Sequence, residues 1–304
     1  MLSCSQICID YIASRIILGI ILEPLSWPKP GNVGPSKYYP DLKLEDFIAS
    51  ALILYPRLRT LILTSSLNKN HNFCYWLKNL VSLVSSVLNK NVILGTLILV
   101  IPIAMGVGRH CNEFCRDMRA SINKLRSWSQ ESLVLSFSEN ANDFLEAIAI
   151  SKASIPNYEG SAPSISKRQV ITVEELIHAC SKWDVVCYEL SKGFELTTSL
   201  AEKIAKLVRR GLSLTRAIAQ TYLEALTEII DTHIVRRHSI VQALRTQLLA
   251  LLVNKEHESN LLNVLDKELR RRRINPGTLA DLIATATVLY LLSESENDIT
   301  ALHW

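Results

Sequence analysis

Val92-Ile93-Leu94-Gly95-Thr96-Leu97-Ile98-Leu99-Val100-Ile101-Pro102-Ile103-Ala104-Met105-Gly106-Val107-Gly108 runs for seventeen residues without a charge, and its reading decides the fold. The run is near the lower limit for crossing a bilayer. Gly95, Pro102, Gly106 and Gly108 interrupt it, however, and a helix apolar on every side is also what a large helical protein buries at its centre. We read it as a buried central helix. A second apolar run, Ile16 to Leu22, is too short to span and lacks the basic start and small-residue cleavage pattern of a signal peptide. No membrane partner is expected.

Outward from that helix, apolar residues recur at three- and four-residue steps, and strict alternation over a strand length is hard to find. The expected fold is all-α: one large bundle-like domain over residues 1–304, or two packed halves, 1–153 and 170–304, joined by 154–169. The joint is placed by Ser154 to Lys167, where Ser, Pro, Gly and Asn concentrate. The pattern predicts helices over Ile7–Leu22, closed by Pro24 and Pro28, and Leu44 to about Leu54, punctuated by Pro56. Others follow over Phe73–Leu88, Val92–Val107, Asn112–Trp128 and Asn142–Lys152. Thr172 opens the next with a capping box to Glu175, and Gly193 closes it. Leu196–Arg210, Leu214 to about Asp231 and on to Leu252, and Leu261–Arg273 continue the pattern. Thr278 is expected to cap the last helix, with Asp281 as its third residue.

With 48% hydrophobic and 20% charged residues over 304, the chain has the balance of a packed globular protein. A net charge of +4 does not by itself imply a nucleic-acid surface, and none is expected. Seven cysteines, an odd number with no secretory signal, point to reduced thiols in the cytoplasm. Cys4 with Cys8 and Cys111 with Cys115 fall one helical turn apart, but no histidines cluster nearby to complete a zinc set.

Five segments carry groups fit for chemistry. In Trp27 to Gly34, two glycines let the backbone approach a ligand, prolines stiffen it and Lys29 adds charge; a phosphate site and a stiff turn are both open. Asn89-Lys90-Asn91 precedes the apolar helix, where amides and helix N–H groups can hold an anion or simply cap. Asp231-Thr232-His233-Ile234-Val235-Arg236-Arg237-His238 sets a carboxylate beside two guanidinium groups, suited to a magnesium-nucleotide or to ion pairing along a helix on which Asp231 and His238 share a face. Asn275-Pro276-Gly277-Thr278 opens a helix with Asp281 one turn in, and Arg270 to Arg273 precede it as a charge run or a solvated helix end. Asp184 sits at the edge of an apolar stripe, one turn before Tyr188.

The order of these segments resembles the triphosphoribosyl-dephospho-CoA synthase family. Glu23 with Pro28-Lys29-Pro30-Gly31-Asn32 is similar to the family's opening motif, and Phe47 with Ser50-Ala51 to the family's next one, a Phe and a Ser-Ala pair. Asn89 to Gly95 is similar to an Asn-Thr motif, with Lys90 in place of the threonine. The segment from Asp231 is similar to an Asp-Thr motif, and Asn275 to Leu282 to a Pro-Gly and Ala-Asp-Leu ending. The resemblance runs from about residue 20 to 292. It implies an all-helical transferase that moves the triphosphoribosyl group of ATP onto dephospho-CoA and releases adenine. It further implies that Asp231, Asp281 and Glu23 are catalytic, with Asp231 and Asp281 also holding Mg2+. Lys29, Gly31, Asn32, Asn89, Asn91, Arg236, Asn275, Gly277 and Thr278 would bind nucleotide and phosphate. A related transferase with a different acceptor, or a nucleotide-binding helical protein without turnover, remains an alternative, because Lys90 and the 154–169 segment depart from the pattern.

Overall fold

The uncharged run forms the core of the structure, a computed structural model that describes residues 4–35, 37–68, 72–90, 92–153, 171–256 and 259–295. Those residues fold into fifteen helices with no strand, only three isolated bridges. In chain order the first seven are α1 (Gln6–Leu25), α2 (Leu44–Ser66), α3 (Phe73–Leu88), α4 (Leu94–Arg109), α5 (Cys111–Asp117), α6 (Ile122–Leu135) and α7 (Asn142–Ser151). After the 154–170 stretch, which lies outside the described residues, come α8 (Val173–Cys180), α9 (Val185–Ser191), α10 (Glu195–Arg209), α11 (Leu214–Glu228), α12 (Thr232–Arg237), α13 (Ile240–Glu256), α14 (Ser259–Arg271) and α15 (Gly277–Ser293).

Every residue of α4 from Thr96 to Gly108 is buried. Its glycines mark where neighbouring helices close in. A Cβ on Gly106 would lie 2.5 Å from the Trp128 carbonyl carbon in α6, and one on Gly108 would lie 2.8 Å from the Ile62 carbonyl oxygen in α2. The run therefore buries itself in protein, as an all-apolar core helix does. α15 is its partner in the centre. It packs against α1, α4, α6, α10 and α11, and thereby draws on both sides of the 154–170 stretch. Its buried Thr285 and Thr287 give their hydroxyl protons to the carbonyls of Asp281 and Ile283 four residues back, both at 2.8 Å, so neither polar group is left unpaired in the core.

Several expected boundaries are corrected. α1 continues through Pro24 to Leu25, and α2 runs through Pro56 to Ser66. Pro56 removes only the bond to the Leu52 carbonyl, on a side where Leu52 is 60% exposed, so a proline that breaks a buried helix is tolerated there. The expected Asn112–Trp128 helix is two, because Met118 turns into the left-handed region at φ 53°. The Thr172 capping box forms, but that helix ends at Cys180. A second one starts at Asp184, which caps it by accepting from the Val186 and Cys187 amides. The expected long helix from Leu214 breaks at Ile229, so Asp231 and His238 lie at opposite ends of the short α12 rather than on one face of a continuous helix.

The cysteine expectation is also corrected. Cys8 is bonded to Cys115 and Cys180 to Cys187, leaving Cys4, Cys74 and Cys111 free and buried. Spacing could not show the first pair, whose members stand 107 residues apart.

Candidate active site

Where α1 ends, the chain turns sharply through Trp27 to Gly34 and folds back beneath α11, α12 and α15. Glu23 and Lys29 face each other across that turn as a buried ion pair. Burial drives the Glu23 carboxyl above its usual range and the Lys29 ammonium below its own, because water is absent to solvate either charge. Lys29 also lies 5.7 Å from the centre of the Tyr222 ring, and the Tyr222 hydroxyl donates to the Pro30 carbonyl at 2.9 Å. Gly31 adopts φ 75°, and a Cβ there would meet the Ile274 carbonyl at 2.9 Å, so glycine is required on both counts. The Gly31 amide donates to Asp266, and Tyr39 donates to the carbonyls of both Gly31 and Ile274. The loop is thereby tied to α14 and to the turn that starts α15.

Asp231 holds two helix starts together. One of its oxygens accepts from the Ile234 amide of α12 at 2.9 Å and the other from the Leu279 amide of α15 at 2.8 Å. Burial nevertheless raises it to about 6. Asp281 does not serve its own helix end as the capped-helix expectation had it. It accepts from the Thr96 amide at 2.9 Å and hydroxyl at 2.6 Å, joining α15 to the start of α4. Its burial, with the nearby charges of Glu23 and Asp231 adding, raises it to about 7 against those two hydrogen bonds. Thr278 likewise does not cap α15. Its hydroxyl accepts from the His233 amide at 3.0 Å and lies 3.2 Å from that of Thr232.

Two glycines let the Asp281 and His233 side chains pack directly against the backbone. A Cβ on Gly95 would fall 2.2 Å from an Asp281 oxygen, and one on Gly277 would fall 3.2 Å from the His233 ring. Gly277 and Asp281 are one turn apart on the same face of α15, and Gly95, His233, Gly277 and Asp281 all retain some exposed surface. The Asp281 carboxyl and the His233 ring fill the space beside these glycines at a partly exposed part of the surface. His233 stays neutral, pushed down to about 3 by burial and by the charges of Arg236 and Arg237. Arg236 is partly exposed and paired with Asp184.

The Asn32 side-chain nitrogen, the Asn275 side-chain oxygen and one Arg270 guanidinium nitrogen are buried with no hydrogen-bond partner among the described residues. Groups in this state cost roughly 1–3 kcal/mol each unless something else satisfies them.

The structure thus gathers Glu23, Lys29, Gly31, Asn32, Asp231, Arg236, Asn275, Gly277, Thr278 and Asp281 around the starts of α12 and α15. Asn89 is not among them. It closes α3 in the left-handed region at φ 50°, is exposed, and accepts from Lys152 at 2.9 Å. Asn91 lies outside the described residues. Lys90, one residue from each, pairs with Asp46 of α2 at 2.8 Å. The Arg270 to Arg273 run is a helix end served by its own acids: Arg270 pairs with Asp266, and Arg271 and Arg272 with Glu268. Sequence reasoning missed Thr96, Tyr222 and Asp266. Thr96 is the only hydroxyl in the uncharged run, and that was the signal present.

These features define an all-helical protein whose site is built on buried carboxylates poised near neutrality, with unsatisfied amide groups beside them. The chain belongs to the ATP:dephospho-CoA triphosphoribosyl transferase family, whose model matches residues 9–300. A protein of Malonomonas rubra assigned as a probable 2-(5''-triphosphoribosyl)-3'-dephosphocoenzyme-A synthase is 22% identical over 305 residues, covering 94% of this chain and 88% of that one. A crystal structure from Archaeoglobus fulgidus, assigned as a triphosphoribosyl-dephospho-CoA synthase, superposes with a TM-score of 0.61 at 17% identity. It covers 82% of this chain and 100% of its own and shares the fold.

Proposed function

We propose that this chain transfers the triphosphoribosyl group of ATP to a hydroxyl of dephospho-CoA and releases adenine, in the cytoplasm. The observation that carries the reading is that Asp231 and Asp281, raised to about 6 and about 7, stand at the starts of α12 and α15, where Asp231 accepts from both helices and Asp281 reaches the start of α4. A carboxylate tuned toward neutral pH can take a proton in a transition state and give it up again. In the reaction, the acceptor hydroxyl oxygen forms a bond to the anomeric carbon of the ATP ribose as the bond from that carbon to adenine breaks. The hydroxyl proton passes to a carboxylate, adenine takes up one proton from water as it leaves, and the carboxylate returns its proton to water, so that the net transfer is of the hydroxyl proton to adenine. The triphosphate is carried over intact.

Asp281 is the better placed to take the hydroxyl proton, since among the described residues only one of its oxygens is held, by Thr96, whereas both oxygens of Asp231 accept backbone amides. Asp231 fixes the starts of α12 and α15. Glu23 fixes Lys29, whose charge lies under the loop, and Arg236 offers guanidinium donors to phosphate. Asn32 and Asn275 bring the unsatisfied amide groups that orient a nucleotide. Magnesium fits the same donors. Asp231 and Asp281 present hard oxygens whose negative charge no buried cation among the described residues offsets directly, and they would hold the ion, which supplies positive charge to the triphosphate.

Incubating the purified chain with ATP, magnesium and dephospho-CoA and resolving the products by chromatography tests the reading. Adenine that appears only when dephospho-CoA is present is the expected result. Release of inorganic phosphate or pyrophosphate in place of adenine would sink it.

A further inference from the structure

The four cysteines at the other end of α1 form a cluster that the transfer reaction does not use. Cys4 precedes Ser5, the residue that caps α1, and Cys8 lies one turn into the helix. Cys111 opens α5 and Cys115 lies one turn further. The 82° bend between α4 and α5 turns this second pair toward the first. The sulfurs of Cys4, Cys8 and Cys115 all lie within 4.8 Å of one another, and that of Cys4 is 3.3 Å from that of Cys115 although the two are not bonded. The Cys4 and Cys111 thiols are hydrogen-bonded, which completes a set of four. Cys4, Cys8 and Cys111 are buried and Cys115 is partly so.

We propose that, when the Cys8–Cys115 bond is reduced, Cys4, Cys8, Cys111 and Cys115 together bind one zinc ion. Zinc takes four thiolates at about 2.3 Å in a tetrahedron, which sets the sulfurs about 3.8 Å apart. That separation lies between the Cys4–Cys115 contact and the outer limit of the Cys4, Cys8 and Cys115 group, and Cys111, which hydrogen-bonds to the Cys4 thiol, is the fourth ligand of the proposed site. The arrangement also explains why a third and a fourth cysteine stand beside a disulfide that needs only two. With all four positions filled by protein, the ion has no open place for a substrate, and its role is to fasten the start of α1 to α5. The disulfide and the metal compete for the same sulfurs. Reduction delivers two electrons and two protons to Cys8 and Cys115, and zinc binding then releases the thiol protons.

The full chain, reduced with a phosphine under anaerobic conditions, given zinc and freed of excess, is assayed for metal by mass spectrometry. About one zinc per chain is expected, falling to below a tenth of that in Cys4→Ser/Cys111→Ser and staying unchanged in Cys180→Ser/Cys187→Ser. Cobalt given to the wild-type chain in place of zinc should show the intense absorption of tetrahedral thiolate coordination, a reading that does not depend on any variant folding. A reduced wild-type chain that retains no zinc and shows no such cobalt spectrum would overturn the proposal. So would zinc retained by a folded Cys4→Ser/Cys111→Ser chain.

Discussion

Glu23 and Lys29 are two charges with almost no access to water, and the cost of each is met by the other. Removing one leaves the other buried and alone. Glu23→Ala is therefore expected to lower stability by roughly 3–5 kcal/mol, and the double change Glu23→Gln/Lys29→Met to recover most of that loss. Urea unfolding followed by circular dichroism checks both. Asp231 and Asp281 make a prediction of opposite character, because neither has a cation bonded to it. Their folded-state values, about 6 and about 7, lie above the usual 3.8, so the folded protein binds protons more tightly than the unfolded one. Their contribution is complete below about pH 4 and is lost as the pH rises through about 7. In metal-free protein the melting temperature should fall by roughly 5 °C or more between about pH 5 and about pH 8, net of other groups. Asp281→Asn should flatten that slope and magnesium should offset it most at the higher pH. A slope that Asp281→Asn leaves untouched would remove this carboxylate from the explanation. Lys29 and Asp281 stood out in the sequence through the glycine, proline and asparagine near them, Asp231 through the arginines that follow it, and Glu23 through the motif resemblance. Their bonding did not, since a carboxylate at a helix start reads as a cap for that helix. Asp281 serves Thr96, 185 residues away, instead.

At the scale of elements, α4 carries two glycines that look alike in sequence and differ in what they face. A Cβ on Gly95 would run into the end of the Asp281 side chain, which can turn aside. One on Gly106 would run into the α6 backbone at Trp128, which cannot. Gly106→Ala should therefore destabilise the fold by about 1–3 kcal/mol, as overpacking of a core does. Gly95→Ala should cost less stability but displace the Asp281 carboxylate, lowering turnover more than it lowers the melting temperature. Measuring both quantities for both variants separates the two cases. Helical periodicity made most of the helices legible, including the buried run whose length approaches that of a membrane span. The breaks were harder to see. Pro24 and Pro56 carry a breaking signal that the structure overrides at an exposed or terminal turn, whereas Met118 and the Ile229–Asp231 joint break helices with no proline or glycine to announce it.

Across the molecule, α15 does two things at once. Its apolar length fills the centre between α1, α4, α10 and α11, and its first turn supplies Gly277, Thr278 and Asp281 to the site. Asp281 is thus carried on a deeply packed helix that also anchors Asp231 through the Leu279 amide, which keeps both carboxylates in place for the proposed transfer. The proposed function gives Asp281 a part in an adenine-releasing transfer. The decisive comparison is wild type against Asp281→Asn in the presence of ATP, magnesium and dephospho-CoA, with adenine quantified and the acceptor product weighed by mass spectrometry. One adenine per acceptor consumed is expected, with a product carrying all three phosphates and a rate at least about 100-fold lower in the variant with its fold intact. Equal rates in the two proteins, or no adenine from well-folded wild type, would contradict that role.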